Sequence, residues 1–190
     1  MARATCRRFS TRSSDLNVVS DIAMPPEPVT RTAQPLDSAE IAALHARAMG
    51  PGRFARTAYR VREGAGDEFS PFCRVCLIGG HIAAAVRFTP VRIGGKAGAL
   101  LLGPLAVDPA FANQGHGRGL VAQALEVARS AGIALVILVG DEPYYGRLGF
   151  RRVPWGQVTL PGPVDPNRLL AAELAEGALS NFAGPVTAAR

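Results

Sequence analysis

A Gly103-Pro104 pair interrupts the apolar segment 97–107, and this pair constrains the fold more than any other feature of the chain. The apolar residues on both sides of it predict a β-strand, but proline cannot donate a hydrogen bond to a neighbouring strand. We therefore expect a strand that is kinked or bulged near its middle. A simple irregularity of an edge strand would leave the same pattern.

The segments before this strand predict an antiparallel meander. Apolar runs from Phe72 to Ile78 and from His81 to Val91 are typical of strands, and Gly79-Gly80 and Gly94-Gly95 are typical of two-residue hairpin turns. Further upstream, Val29 to Ala33 predicts another short strand. The kinked strand is therefore the last of three that pair antiparallel.

Two helices are predicted between the first strand and the meander. The first begins at Asp37 or Ser38, which can cap it, and ends at Gly50-Pro51-Gly52. The second covers Phe54 to Arg62. The connection between these two helices carries Arg53 and Phe54.

The segments after the kinked strand predict a parallel crossover. A Gly-rich loop from Asp108 to Gly117 leads into a helix, and the apolar run from Ile133 to Val139 is typical of a strand that is buried on both faces. The order strand, loop, helix, strand joins parallel neighbours. The predicted helix carries an apolar face formed by Leu120, Val121, Ala124, Leu125 and Ala128.

The chain length of 190 residues allows one domain with extensions. We expect residues 1–27 to be a disordered Arg/Ser-rich extension, and three interpretations stay open for it: a targeting segment, an upstream start before Met24, or a mere extension. The domain itself is predicted over 28–165. We expect residues 166–190 to be a C-terminal helical extension, with a helix from Asn167 to Ala175, packed on or following the domain.

The formal net charge of +6 suggests an acidic partner, and its distribution narrows the choice. Two of these charges lie within residues 1–23. Aromatic residues make up only 6% of the chain, and no polybasic run lies outside that segment, so we expect no nucleic-acid partner. No apolar stretch is long enough to span a membrane, so we expect no membrane partner either.

The loop before the predicted helix has the composition of an anion site. Residues 113–120 read Asn-Gln-Gly-His-Gly-Arg-Gly-Leu, and glycine lets successive backbone N–H groups approach a ligand closely. The helix N-terminus and Arg118 add positive charge, which suits a pyrophosphate. The loop has no Gly-Lys-Ser/Thr sequence and no Gly-x-Gly-x-x-Gly spacing, so neither a P-loop nor a Rossmann fingerprint fits.

Three sequence patterns around this loop carry a family resemblance. They are Leu105-Ala106-Val107-Asp108-Pro109, then Gln114-x-x-Gly117-x-Gly119, and then Tyr145-x-x-x-Gly149-Phe150. Together with the order of elements, they resemble the GNAT superfamily of N-acetyltransferases over about residues 28–155. Residues 97–165 look most like a bacterial subgroup whose substrates are largely unassigned.

The resemblance implies a fold class and a reaction. The fold is α/β (α+β) with a mixed, mostly antiparallel central sheet, splayed at the junction of strands 97–107 and 133–140 and flanked by helices. The reaction is direct transfer of the acetyl group of acetyl-CoA to a primary amine of a small molecule or peptide. The alternative is a non-catalytic acyl-CoA-binding or regulatory module on the same fold.

The resemblance also implies which residues hold the cosubstrate. Main-chain groups of Leu105 and Val107 would pair with the pantetheine arm and the acetyl carbonyl, and Tyr145 would donate a proton to the leaving thiolate. The remaining cofactor-binding residues expected here are Ala106, Gln114, Gly115, His116, Gly117, Arg118, Gly119, Leu120 and Asp141. Tyr144 is the rival proton donor, although its register does not fit the pattern.

The acceptor side of the site is less determined by the sequence. Arg53 and Phe54 lie where this fold shapes the acceptor pocket, and Glu142 is a further candidate. Asp141 and Glu142 follow a buried strand and either act as a base through a water or cap the next helix, which is predicted from Pro143 to Leu148. An ordered water chain would also remove the need for a base.

The cysteines and histidines do not predict a metal site. Residues three apart on a strand, such as Cys73 and Cys76, point to opposite faces, and His81 alone cannot complete a site. We expect buried free cysteines, no metal, and a reducing compartment, taken as the cytoplasm. The protein is expected to be a monomer or a homodimer.

Overall fold

The computed structural model describes residues 26–50, 60–61 and 69–189. Strands and helices are numbered here in chain order. The strands are β1 (Val29–Thr32), β2 (Arg74–Ile78), β3 (His81–Ile93), β4 (Lys96–Val107), β5 (Leu135–Val139), β6 (Arg151–Arg152), β7 (Val158–Thr159), β8 (Leu169–Glu173) and β9 (Gly184–Ala188), and the helices are α1 (Ser38–Met49), α2 (His116–Ser130) and α3 (Glu142–Tyr145).

The strands form one mixed sheet with the order β1-β2-β3-β4-β5-β8-β6. All neighbours in this series are antiparallel except β4 and β5, which are parallel. β9 pairs with the carboxyl end of β3, at residues 91–93, and with the short strand β7. The predicted mixed, mostly antiparallel sheet and its meander β2-β3-β4 are confirmed.

The sheet is split between β4 and β5. These strands pair only through Ala99–Leu101 and Leu135–Ile137. Immediately beyond this ladder, β4 reaches Gly103-Pro104, where the register with β3 shifts between Val86 and Phe88. Because proline offers no N–H and the strand bends at this point, the two parallel strands separate toward their carboxyl ends. The predicted kink and splay are therefore present.

Helices cover the two faces of this sheet. α2 buries its predicted apolar face against one side, with Val121 and Ala124 fully inaccessible. α1 packs on the opposite side, where Leu44 is inaccessible beside Val75 and Ala106. Strand β5 is buried by α2 on one face and by a core that includes Val153 and Phe182 on the other, which explains its uninterrupted apolar sequence. Across the described ranges, no helix combines the length and the apolar character needed to cross a bilayer.

The prediction of a helix from Asn167 to Ala175 is wrong. A short 3-10 turn, Pro166–Arg168, leads directly into β8, which lies between β5 and β6. Leucine and alanine favour helices in isolation, but Leu170 and Ala171 belong to the cores on opposite faces of the sheet. Burial on both faces outweighs the local helix preference, so the C-terminal segment is part of the sheet.

Other predictions differ from the structure only in their bounds or lie outside it. The predicted helix from Pro143 to Leu148 consists of α3 followed by a 3-10 turn. The helix expected from Phe54 to Arg62 falls outside the described residues except for Arg60 and Val61, which are helical. The extension at residues 1–25 also lies outside the described part of the chain.

Candidate active site

The Gly-rich loop forms the start of α2. Gly115 takes a left-handed conformation, with φ of +88°, and the helix begins at His116. The amide of Gly119 makes the first bond of the helix, to the carbonyl oxygen of Gly115, at 2.9 Å. The amides that precede Gly119 have no acceptor within the helix, because the first turn lacks carbonyl partners. This turn is therefore a cradle of N–H groups with a partial positive charge.

A groove of about 550 Å³ lies against this turn. Its walls carry two arginines, Arg118 and Arg147, and no carboxylate. Such a charge balance suits a polyanionic ligand. The lining residues are Val107, Phe111, Ala112, Asn113, Gly115, His116, Gly117, Arg118, Pro143, Tyr144 and Arg147.

The second half of β4 presents main-chain groups to the split. Leu105, Ala106 and Val107 pair with β3 in a regular antiparallel register. The amide of Asp108 bonds to the carbonyl oxygen of Ala83 at 2.8 Å. Since successive residues of a strand point their N–H and C=O groups to opposite sides, those of Leu105 and Val107 point away from β3. They face the split, where β5 has already turned away.

The two tyrosines of α3 occupy different surroundings. Their rings touch edge to face, with centroids 4.8 Å apart. The ring of Tyr145 is half-buried: it packs against Phe150, and a Cβ atom on Gly140 would lie only 2.5 Å from its Cε2 atom. Tyr144 instead lines the groove. Burial raises the pKa of Tyr144 above its ordinary value, although the nearby charge of Arg118 lowers it in part.

Gly117 is the residue of the Gly-rich loop that packs closely against Tyr144. A Cβ atom at this position would lie 2.9 Å from the Tyr144 hydroxyl and 3.1 Å from Cγ2 of Val107. Gly117 is buried in the first turn of α2, so the close approach of these three residues requires the absence of a side chain here.

Asp141 and Glu142, the two acidic candidates beside the split, are each paired with an arginine. Asp141 lies 3.3 Å from Arg168, and Glu142 lies 2.7 Å from Arg152. Asp141 occupies the cap position of α3, but its side chain makes no capping hydrogen bond. Both carboxylates therefore have a salt-bridge partner.

Several groove residues were not identified from the sequence. Arg147 lies between the two tyrosines and Gly149-Phe150, so the motif itself carries the signal. Phe111 lies between β4 and the glycines, and Asn113 is the first residue of the segment 113–120. Asp108 fixes this connection, since its carboxylate accepts hydrogen bonds from the Ala110 amide at 3.1 Å and from Arg47 Nη2 at 2.8 Å. These bonds, the Ala110 amide foremost, lower the pKa of Asp108.

The remaining predicted site residues lie elsewhere. Arg53 and Phe54 are outside the described residues. Cys73 and Cys76 are buried free thiols on opposite faces of the sheet, one in the core under α1 and the other in the core under α2. Within residues 26–50, 60–61 and 69–189, no cluster of three or more His, Cys, Asp or Glu side chains could hold a metal ion.

Comparison with known proteins decides the family. A family model described as the acetyltransferase (GNAT) family matches residues 39–150, which span β2 to β5, α2 and the tyrosine pair. This chain belongs to the GNAT family. The resemblance inferred from the kinked strand, the Gly-rich loop and the Tyr-x-x-x-Gly-Phe pattern is thereby confirmed.

Two bacterial members of the GNAT family are similar to this chain. The uncharacterized N-acetyltransferase YhbS of Escherichia coli K12 is 29% identical over 154 residues, covering 80% of this chain and 90% of YhbS. A crystal structure of the E. coli YhbS in complex with CoA superposes with a TM-score of 0.74, at 28% identity, covering 86% of this chain and 91% of that one. The crystal structure of a GNAT family acetyltransferase from Brucella melitensis in complex with acetyl-CoA superposes with a TM-score of 0.55, at 27% identity. The match covers 80% of this chain and 97% of that one.

Proposed function

We propose that this protein transfers the acetyl group of acetyl-CoA directly to a primary amine of a small molecule or peptide. The observation that carries the proposal is the split at Gly103-Pro104, where main-chain groups of β4 face a gap that ends at the Gly-rich turn. A pantetheine arm has two amides, so it can pair with such a strand edge while its pyrophosphate reaches the helix N-terminus. Two GNAT relatives have CoA or acetyl-CoA bound in their structures, which supports the same cosubstrate here.

The cosubstrate is assigned to the residues that border the gap and the groove. Leu105 and Val107 pair with the arm, and Ala106 holds their register against β3. Arg118 supplements the backbone amides at the pyrophosphate. The other residues assigned to cosubstrate binding are Gln114, Gly115, His116, Gly117, Gly119, Leu120 and Asp141.

The chemistry needs an uncharged amine and a protonated leaving group. The amine nitrogen attacks the thioester carbonyl carbon and forms a C–N bond, which gives a tetrahedral intermediate; the C–S bond breaks when this intermediate collapses. An amide N–H of β4 stabilises the oxyanion of the tetrahedral intermediate. The thiolate takes a proton, which we assign to the hydroxyl of Tyr145, with Tyr144 as the rival. A water accepts the proton of the ammonium, since Asp141 and Glu142 are engaged with Arg168 and Arg152.

Acceptor binding is assigned to Arg53, Phe54 and Glu142. We also propose a cytoplasmic location, which the free thiols of Cys73 and Cys76 support. A monomer or a homodimer is proposed.

The test combines binding with turnover. Calorimetric titration with acetyl-CoA should give saturable binding, and a panel of primary amines should release CoA with at least one acceptor. Tyr145→Phe should slow turnover at least tenfold while acetyl-CoA affinity is kept, and Tyr144→Phe is its matched control. If Tyr144→Phe alone slows turnover, the proton donor is Tyr144. Absence of acetyl-CoA binding would refute the proposal, and binding without turnover on any amine would favour the non-catalytic module.

A further inference from the structure

A second pocket lies outside the groove described above. It has a volume of about 240 Å³ and is formed by the connection from β6 to β8. Its lining contains no charged side chain, and Thr159 supplies its one side-chain hydroxyl. The lining residues are Val153, Pro154, Trp155, Gly156, Val158, Thr159, Leu160, Gly162, Val164, Pro166 and Leu169.

Trp155 marks the mouth of this pocket. Its side chain is 81% exposed, although it is the largest apolar side chain in the protein. An exposed tryptophan beside an uncharged pocket is costly to leave in water and is typical of ligand-binding surfaces. By itself, however, it does not say what the ligand is.

A row of side chains connects the pocket to the split in the sheet. Val139 ends β5 at the split and is paired with Leu169 of β8. The amide of Val153 bonds to the carbonyl oxygen of Leu169 at 3.0 Å, so these two are also neighbours. Both belong to the core on one face of the sheet and both line the pocket. Paired residues of antiparallel strands place their side chains on the same face, so Val139 lies on this face as well.

The face of the sheet that carries Val139 remains open to the acceptor. Leu105, Val107 and Tyr145 pack with α2 on the opposite face, where the Gly-rich turn lies. A cosubstrate held from that face leaves the other face of the split open to an incoming amine. Val139 is 37% exposed there, and the pocket begins at Leu169 on the neighbouring strand, about 5 Å across the sheet.

We propose that this pocket binds the apolar end of the acceptor, so that the acceptor is a primary amine joined to an uncharged aromatic or branched aliphatic group. This inference rests on the proposed function. An apolar cavity of about 150 Å³ accommodates a benzene ring, so the pocket holds one ring rather than a larger molecule. The aliphatic linker between the amine and the ring of the acceptor would lie on the apolar surface that runs from Val139 to Val153.

Trp155 also supplies the test, because it is the only tryptophan in the chain. Its fluorescence should change on titration with phenylbutylamine and stay constant with hexamethylenediamine, which has similar length but a charged far end. Acetylation of phenylbutylamine should exceed that of the diamine about tenfold in kcat/KM, the discrimination that one buried apolar group provides. Val164→Phe, which narrows the pocket, should abolish both the fluorescence response and the preference while turnover of ethylamine is kept.

Trp155→Ala should reduce the preference, whereas Leu36→Ala, at another exposed apolar residue, should not. Acetylation of other amines with no fluorescence response to phenylbutylamine would overturn the pocket assignment and leave the proposed function intact. A saturable fluorescence response without acetylation of any amine would support the pocket and count against the proposed function.

Discussion

The hydroxyl of Tyr144 lies 2.9 Å from the point that a Cβ atom on Gly117 would occupy. The helix of the Gly-rich loop and the helix of the tyrosine pair therefore meet across the groove with no room for a methyl group. Gly117→Ala should displace the side chains of Tyr144 and Val107, which line the groove, and weaken acetyl-CoA binding about tenfold, measured by calorimetry. Gly146→Ala is the control, because Gly146 has a helical conformation, is not assigned to cosubstrate binding, and a Cβ atom there would lie no closer than 3.8 Å to its neighbours. Equal affinities of the two variants would contradict this packing.

The phenol of Tyr144 should titrate above its ordinary range. Burial raises its pKa, and the opposing charge of Arg118 only reduces that shift. Absorbance of the phenolate at rising pH should show a tyrosine that ionises at a higher pH than an ordinary tyrosine, and this phase should vanish in Tyr144→Phe. Arg118→Gln should delay the phase further, since the lowering charge is gone. An earlier phase in Arg118→Gln would contradict the assignment.

Acid should destabilise the protein through Asp37. This carboxylate receives both terminal nitrogens of Arg31, at 2.6 and 2.7 Å, and these bonds hold its pKa below the ordinary value. A lowered pKa means that the stabilisation is present above the unfolded value, near pH 4, and is lost as pH falls through the folded value. Asp37→Asn should reduce the free energy of unfolding by about 1–3 kcal/mol at pH 7. The difference should shrink in urea titrations at acidic pH, and a constant difference would contradict the mechanism.

Alanine substitutions at the two neighbouring glycines of the hairpin between β3 and β4 should differ in their effect on stability. Gly94 and Gly95 both have positive φ, so alanine strains the backbone at each. At Gly94, however, a Cβ atom would lie only 1.9 Å from the carbonyl oxygen of Ala183, at the start of β9. Gly94→Ala should therefore cost about 2 kcal/mol more free energy of unfolding than Gly95→Ala. Equal losses in thermal unfolding would show that β9 does not pack here.

The part of the fold that the sequence predicts well is the part with local signals. Gly79-Gly80 and Gly94-Gly95 define hairpins because their turn conformation depends on neighbouring residues alone. The kink at Gly103-Pro104 is predicted for a similar reason, since proline removes one donor wherever it stands. The Gly-rich loop is likewise defined by its own composition.

The wrong prediction at 167–175 has a tertiary cause. Leu169 to Ala172 is a short apolar run, and periodicity cannot distinguish a buried strand from a buried helix in so few residues. The segment forms a strand because it pairs with the free edge of β5, which lies some 30 residues earlier in the chain. The pairing of Asp141 and Glu142 with arginines is hidden from the sequence in the same way, because Arg152 and Arg168 reach them only once the sheet has formed.

The position of β8 has a consequence for how this protein is made. β8 lies between β5 and β6, so β6 has no strand partner among the described residues until residues 169–173 arrive. During synthesis the residues matched by the family model leave the ribosome before β8, and one edge of β5 is unpaired until β8 follows. The nascent chain must therefore hold an incomplete sheet until β8 emerges, and this interval exposes it to aggregation and to capture by chaperones.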